Sequence, residues 1–239
     1  TLQTLPAFFN RQGYLTDIRV LYEAPTHIFG DPVADQKLVK KNDMRLRYNY
    51  YRRNGELEFK NCTTVEDIMV YLELFFRQHT RRRTLTDIPS QFLDERQRIF
   101  YTEMVQRLAP SGYLLFSVLL FNQTPIAFHI GFEYDNRLLY YQPTFNVDYV
   151  KKSPGIVLLK FLLEYALERN VAEFDFSIGE EPYKYRFAND ARVNHEVRVF
   201  RRPLPYHLDR VLLDAKGLIK RSPTLSRLGR RFLRQTSKE

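Results

Sequence analysis

The chain has 239 residues, of which 44% are hydrophobic and 27% are charged, a composition typical of a globular protein with a sizeable core. The single cysteine, Cys62, excludes an internal disulfide and favours a reducing compartment. No apolar run reaches the ~18 residues that a membrane-spanning helix needs, and no signal peptide opens the sequence. We therefore expect a cytoplasmic protein.

Positive charge is concentrated at the C-terminal end of the chain. The net charge is +9, and residues 206–239 contain nine Lys or Arg against three Asp or Glu, a net of +6. Leucines are interspersed among these basic residues, so residues 204–239 are predicted to form a basic amphipathic helical tail. Such a tail either docks on its own domain or lies on an anionic membrane surface, which would place the protein peripherally at the inner membrane face.

The first half of the chain predicts loops followed by helices. Residues 1–36 are punctuated by Pro and Gly and contain one short predicted strand, Asp17–Tyr22. Helices are predicted from apolar spacing and capping signals: Lys37–Arg53, a helix that Thr64 caps and that ends before a loop at Arg81–Arg83, and a helix that Ser90 caps and that ends near Leu108.

The second half has the period of two that is typical of strands. Strands are predicted at Glu56–Lys60, Tyr113–Phe121, Thr124–Tyr134, Arg137–Gln142, Glu173–Phe176 and Arg192–Phe200. Turns at 122–123 and 135–136 would join three of them into an antiparallel meander. A largely apolar helix, Gly155–Arg169, and a helical turn, Glu180–Phe187, separate the last strands. The pattern predicts an α/β fold with a mixed sheet flanked by helices on both faces.

The loop that opens the apolar helix has the features of an anion site. It reads Lys151, Lys152, Ser153, Pro154 and Gly155. The first amides of a helix have no internal partner and carry partial positive charge, and a glycine lets a phosphate approach the backbone. Many helices that begin in this way bind nothing, so the loop alone leaves both interpretations open.

Three stretches together resemble the GNAT superfamily of acyltransferases, in particular its BioF2-like or CelD-like acetyltransferase domains, which are related to the Fem peptidyltransferases. They are FNQTPIAFHIGF at 121–132, YYQPTFNVDYVKKSPGIVL at 140–158 and DFSIGEEPYKYRF at 175–187. The resemblance covers roughly residues 40–200. The pyrophosphate loop of the family typically ends in Gly-x-Gly or Gly-x-Ala. Here Gly155 is instead followed by Ile156 and Val157.

The resemblance implies a GNAT-like, largely antiparallel central sheet and three parts of the chain. Residues 1–36 would be an N-terminal segment left from a preceding GNAT-like half, residues 37–203 the acyltransferase domain, and residues 204–239 the tail. It also implies transfer of an acyl group, in the first place acetyl, from acyl-CoA to an amine by direct attack on the thioester. The alternatives are a Fem-like transferase that uses aminoacyl-tRNA and a catalytically inactive GNAT-like scaffold.

The resemblance also implies where the donor and acceptor bind. The donor's pyrophosphate would lie over the loop at the helix start, at Lys151, Lys152, Ser153, Gly155 and Ile156. Its pantetheine arm would run between the strand near 137–142 and the strand near Phe174. The acceptor is a small-molecule or glycan-like amine, with tRNA as a partner only under the alternative hypothesis. The histidines are scattered, so no metal site is predicted.

Candidate catalytic and substrate-binding residues follow from the strands and the last motif. Asp175 is a candidate general base or a turn cap, Tyr183 a candidate proton donor to the leaving thiolate, and Lys184 a candidate ligand of the donor's phosphate or of an acidic acceptor. His129 and Glu133 share a strand face with small residues, which leaves room for a substrate or for a packed helix. Further candidates for contact with substrate are Gln142, at the end of the next strand, and Arg186, whose planar guanidinium suits oxyanions.

Overall fold

The computed structural model describes residues 4–86, 88–179 and 181–221, and these contain a seven-stranded sheet. The strands are β1 (Leu15–Ile28), β2 (Leu57–Cys62), β3 (Leu114–Phe121), β4 (Thr124–Tyr134), β5 (Arg137–Phe145), β6 (Glu173–Asp175) and β7 (Asp190–Phe200). Their order is β2-β3-β4-β5-β6-β1-β7, and of the pairs with a recorded register only β5 and β6 run parallel. The mixed, largely antiparallel sheet that the sequence predicts is confirmed.

The helices lie between these strands in the chain and at both ends of it. They are α1 (Thr4–Arg11), α2 (Pro32–Val39), α3 (Asn42–Asn54), α4 (Val65–Arg83), α5 (Glu95–Leu108), α6 (Pro154–Glu168), α7 (Pro182–Tyr185) and α8 (Pro203–Arg221). Short 3₁₀ helices occupy Gln91–Leu93 and Val147–Lys152. Among the residues that the structure describes, none of the helices has the length and apolar character needed to cross a membrane.

The chain divides into two compact units. One comprises Tyr22–Val193 and contains the three motif stretches, and the other comprises the described residues before and after that range. β1 and β7 each contribute residues to both units. The three-part division predicted from the sequence stays a prediction. Of the predicted tail, residues 222–239 lie outside the described residues.

Several predicted boundaries in the first half of the chain are wrong. Residues 1–36 contain α1, most of α2 and the 14-residue strand β1 rather than mainly loops. The single helix predicted at 37–53 is two helices in the structure. Asp31 caps the start of α2 through the amides of Val33 and Ala34, and α2 ends before Lys40, ahead of α3. The arginines at 81–83 form the last turn of α4, where the helix dipole favours positive charge, and not a loop.

The capping predictions have mixed outcomes. Thr64 caps α4 as predicted, because its hydroxyl accepts a hydrogen bond from the amide of Asp67. Ser90 instead caps the short 3₁₀ helix, and Asp94 caps α5. The strand predicted to stop at Gln142 continues to Phe145.

Two hydrophobic clusters cover opposite faces of the sheet in the larger unit. One includes Tyr51 of α3, Leu119 of β3 and Leu158 of α6. The other includes Phe75 of α4 and Phe128 of β4. Along β3 the residues alternate between the clusters, with Leu119 in the first and its neighbours Val118 and Leu120 in the second, as the period of two requires. Because each buried large apolar side chain contributes roughly 1.5–3 kcal/mol, these two layers hold the sheet between its helices.

An irregularity in the β4–β5 pairing places two tyrosines beside one glycine. Ile130 pairs with Gln142 and Phe132 with Leu139, so Gly131 faces both intervening residues of β5. A Cβ atom at Gly131 would overlap the backbone carbonyl of Leu139 and the ring of His129. The close approach of the two strands here therefore requires glycine.

We expect Gly131→Ala to lower the free energy of unfolding by about 1–3 kcal/mol, because the backbone of β5 must move to admit a methyl group. Urea unfolding of the two proteins measures the change. Gly155→Ala is the matched control, since a Cβ atom there would meet only Phe145 Cδ1, at 3.4 Å. Equal stability of the Gly131→Ala variant and the wild type would contradict the close strand approach.

His129 is a completely buried histidine in this core. Neither ring nitrogen has a hydrogen-bond partner among the described residues, and the ring stacks on Tyr140 with centroids 5.0 Å apart. Burial lowers its pKa from 6.5 to about 3, so it is neutral in the folded protein at physiological pH.

This pKa predicts a pH dependence of stability. Below the ordinary pKa of 6.5 the unfolded chain takes up a proton that buried His129 cannot, so stability falls as the pH drops from 6.5 toward 3. Relative to neutral pH, we expect His129 to lower the free energy of unfolding by about 2 kcal/mol at about pH 5. The His129→Phe substitution should abolish this decrease. Urea unfolding at several pH values measures it, with the exposed His207→Phe as control. Parallel pH profiles for wild type and His129→Phe would refute the expectation.

Candidate active site

A cleft opens where β5 and β6 part. The strands pair only over three residues each, Arg137–Leu139 with Glu173–Asp175. β5 then continues to Phe145, whereas the chain after β6 turns away through Ser177, whose φ of 61° is left-handed. Within the described part of the chain, the edge of β5 from Tyr140 onward therefore has no strand partner on this side. Two adjoining cavities of about 300 Å³ each lie along it.

The first cavity, called the helix-end cavity, extends from β5 to the start of α6. It is lined by Arg82, Tyr140, Pro143, Thr144, Phe145, Val150, Ser153, Gly155, Ile156 and Tyr183. Ser153 precedes α6 in a left-handed conformation, with φ 51° and ψ 58°, and its side chain makes no capping hydrogen bond. The first turn of α6 therefore has no side-chain cap at Ser153, and it faces a cavity that can hold an anion.

The second cavity, called the arginine cavity, lies between α4, β5 and the segment after β6. It is lined by Arg82, Arg83, Tyr140, Tyr141, Gln142, Pro143, Phe176, Ser177, Ile178, Glu181, Tyr183 and Lys184. Lys184 is buried, donates to the carbonyl of Ile178 at 2.7 Å and forms an ion pair with Glu181 at 2.9 Å. These contacts fold the segment after β6 back over the cleft.

Two tyrosines and an arginine form the wall that both cavities share. The hydroxyls of Tyr140 and Tyr183 lie close enough for each to influence the pKa of the other. Burial and the negative charge of Glu181 raise the pKa of Tyr183 to about 12, and burial raises the pKa of Tyr140 well above its usual range. Both hydroxyls therefore stay protonated at neutral pH, so Tyr183 presents a neutral hydroxyl to the cleft.

Arg82 reaches into the cleft from the last turn of α4. Its Nη1 donates to the carbonyl of Pro143 at 2.7 Å, and its guanidinium carbon lies 4.8 Å from the ring centroid of Phe145. Burial lowers its pKa. Arg82 thus ties α4 to the open edge of β5.

A buried histidine, His79, lies behind the residues that line the arginine cavity. His79 of α4 makes a hydrogen bond through Nδ1 to Ser90 Oγ at 2.8 Å, and its ring lies near the side chain of Gln142. Burial and the neighbouring arginines, Arg83 and Arg82, lower its pKa to about 4, so the ring is neutral. His79 is therefore an uncharged ring behind the wall of the arginine cavity that Gln142 lines.

The structure brings together one set of the residues predicted from the sequence. Gln142, Tyr183 and Lys184 line the arginine cavity. Ser153, Gly155 and Ile156 line the helix-end cavity. The predicted roles of these six residues stay predictions, but all six lie along one continuous cleft.

The other predicted residues do not line either cavity. The carboxylate of Asp175 accepts the amide proton of Ser177 at 2.7 Å and faces Arg192 at 3.4 Å, which is the turn-capping alternative. Glu133 accepts from Tyr165 Oη at 2.9 Å and from Arg169 at 3.0 Å.

Three further predicted residues also point elsewhere. Arg186 forms an ion pair with Asp43 at 3.4 Å. Lys152 lies 4.2 Å from the ring centroid of Tyr50, and Lys151 is exposed beside it. His129 lies behind Tyr140 rather than in the cleft.

Sequence reasoning missed the arginines of the cleft as site residues. Arg82 and Arg83 belong to a run of three arginines that is visible in the sequence, but the run was assigned to a loop. Tyr140, Tyr141 and Phe145 were also missed, because a strand pattern does not show which of its edges lacks a partner.

Comparisons with known proteins agree with this architecture. The C-terminal domain of a putative lysylphosphatidylglycerol synthetase from Agrobacterium fabrum is 14% identical, with a TM-score of 0.57 over 90% of this chain and 69% of that chain. FemX is 8% identical, with a TM-score of 0.59 over 84% and 69%. L-PGS from Bacillus licheniformis is 12% identical, with a TM-score of 0.54 over 87% and 68%. At these identities the likeness shows the fold alone, and no curated protein matches the sequence.

The family comparison is more specific. The family described as acetyltransferase (GNAT) domain matches residues 39–185, which is more than half of the chain and includes α3 to α7. The matched range contains every residue that lines the two cavities. The chain therefore belongs to the GNAT acetyltransferase domain family and is an acyltransferase.

Proposed function

We propose that this enzyme is an N-acyltransferase that moves an acyl group, acetyl in the first place, from acyl-CoA to an amine. The observation that carries the proposal is the open edge of β5, which leads from Tyr140 to the start of α6. A ligand with amides in its middle and phosphates at one end matches this sequence of surfaces. Coenzyme A has that construction, with a pantetheine arm between its thiol and its pyrophosphate.

The donor would lie along the cleft in a single direction. Its pyrophosphate would meet the first amides of α6 at Ser153, Gly155 and Ile156, where the helix dipole favours negative charge. Its amides would pair with backbone groups of β5, which lack a strand partner on that edge. The sequence predicts that the pantetheine arm runs between residues 137–142 and Phe174. In the structure Arg137–Leu139 pairs with β6, so the arm would lie several residues further along β5, from Tyr140 onward.

The chemistry needs few protein groups, because a thioester is already activated. A neutral amine attacks the carbonyl carbon, the C–N bond forms and the C–S bond breaks. The nitrogen loses one proton, and coenzyme A leaves as a thiol that has gained one. Tyr183, protonated and inside the cleft, would donate to the departing sulfur, and positioned proton transfer contributes typically about 10²–10⁴-fold.

We assign the removal of the amine's proton to a residue on the basis of its position in the cavity. Among the described residues that line the arginine cavity, the carboxylate is Glu181, which would accept the proton through water. Asp175 stays a predicted base, but its carboxylate does not line the arginine cavity and accepts the amide proton of Ser177 instead.

We expect acetyl-CoA to bind the purified chain saturably and Gly155→Trp to weaken that binding by about tenfold or more, roughly 1.4 kcal/mol. The reason is steric, because the side chain of residue 155 projects toward Phe145 inside the helix-end cavity. Calorimetric titration measures the dissociation constants. Gly155→Ala is the matched control and should keep its affinity within about threefold, since a methyl group leaves the cavity open.

A failure of acyl-CoA to bind would contradict this proposal. If the folded chain binds neither acetyl-CoA nor longer acyl-CoAs, the donor assignment is wrong. Titration of charged tRNA at low and moderate salt then separates the two alternatives. Binding would indicate an aminoacyl-tRNA donor, and its absence would indicate a catalytically inactive scaffold.

A further inference from the structure

Three consecutive arginines, at 81–83, end α4, and their side chains have different surroundings. Arg81 points away from the cleft and makes two hydrogen bonds to the carboxylate of Asp148, at 2.8 and 2.7 Å. Arg82 and Arg83 line the arginine cavity instead. Neither has an ion pair with a carboxylate anywhere in the described ranges (4–86, 88–179 and 181–221). The run therefore places two cations that have no described ion-pair partner at one wall of the cavity.

The other charged groups of the cavity do not neutralise these arginines. Lys184 is cationic, and Glu181, which lines the same cavity, is already engaged as the ion-pair partner of Lys184 at 2.9 Å. The described lining thus carries three cationic side chains and one carboxylate. Positive charge that is partly removed from water without a partner is unfavourable, so a cavity of this kind favours an anionic occupant.

Arg82 has the donors that such an occupant needs. Its only described hydrogen bond goes to the carbonyl of Pro143, which uses one of the five N–H groups of a guanidinium. Its position on the ring of Phe145 fixes the plane of the guanidinium. A planar, pre-oriented guanidinium binds carboxylate and phosphate oxygens in two places.

The anion belongs to the acceptor side of the cleft. Arg83 lines the arginine cavity but not the helix-end cavity, where the phosphates of the proposed donor would lie. Its neighbours in the lining include Tyr141 and Gln142, at the end of the cleft away from α6. A volume of about 300 Å³ suits a small molecule or a headgroup.

We infer that the acceptor is an amine that also carries an oxyanion, either a carboxylate or a phosphate, and that Arg83 together with Arg82 binds this group. The inference rests on the proposed function for its direction of transfer, because it names the acceptor class of that reaction. The oxyanion at α4 would leave the amino group to face Tyr183 and the thioester.

The test compares amines that differ only in the oxyanion. The probes are β-alanine with its amide, and phosphoethanolamine with ethanolamine, titrated calorimetrically into the chain with and without saturating coenzyme A. We expect one anionic member to bind about tenfold or more tightly than its neutral partner, as charge-assisted hydrogen bonds provide. The pair that shows the preference distinguishes a carboxylate from a phosphate.

Variants assign the preference to the cavity. Arg83→Gln should remove it, lowering affinity for the anionic probe by about tenfold and leaving the neutral probe unchanged. Arg81→Gln removes the same charge from the neighbouring residue, which does not line the cavity, and should retain the preference. Thermal melts confirm that each variant is folded.

Three results would overturn the inference: no probe binds at millimolar concentration, both members of each pair bind equally, or Arg81→Gln weakens binding as much as Arg83→Gln. Failure of the proposed function is separately visible. If acetyl-CoA does not bind but an anionic amine binds in an Arg83-dependent way, the donor is wrong and the acceptor class stands.

Discussion

The cleft depends on a parallel strand pairing that stops after three residues. Glu173 holds the pairing closed, because its buried carboxylate binds Arg137 of the neighbouring strand at 3.3 Å and also binds Arg192. Past Asp175 the chain turns away, and β5 runs on without a partner on that edge. Unpaired backbone groups inside a sheet need water or a ligand. The end of this short ladder therefore creates the open edge along which we propose that the donor binds.

Two sources of positive potential meet along that surface. One is the start of α6, where the first turn has no side-chain cap. The other is the end of α4, where Arg82 bridges both cavities. The positive charge of Arg82 lowers the pKa of Tyr183, yet burial outweighs it and the net shift is upward. The cleft thus combines cationic walls, which suit anionic substrates, with a tyrosine that stays protonated.

The sheet and most helices were predictable because their signals are local. The alternation along β4 and the cap at Thr64 identify their elements without any knowledge of the rest of the chain. The errors arose where local signals mislead. β5 continues past Pro143 because a strand edge without a partner tolerates proline, and α4 includes its arginines because no Gly or Pro stops it there.

The sequence by itself determined the fold class, the motif at the start of α6 and the family resemblance, since these depend on residues close together in the chain. Only the tertiary structure decided which polar side chains face the cleft. Arg83 and Gln142 meet there because the sheet order brings α4 beside β5. Asp175 and Arg186, both plausible from sequence, found charged partners outside it. The partner of Arg186 lies far away in the chain, and ion pairing between distant residues leaves no local pattern to read. Asp175 also caps the amide of Ser177, and that local contact is one of the two roles that the sequence leaves open.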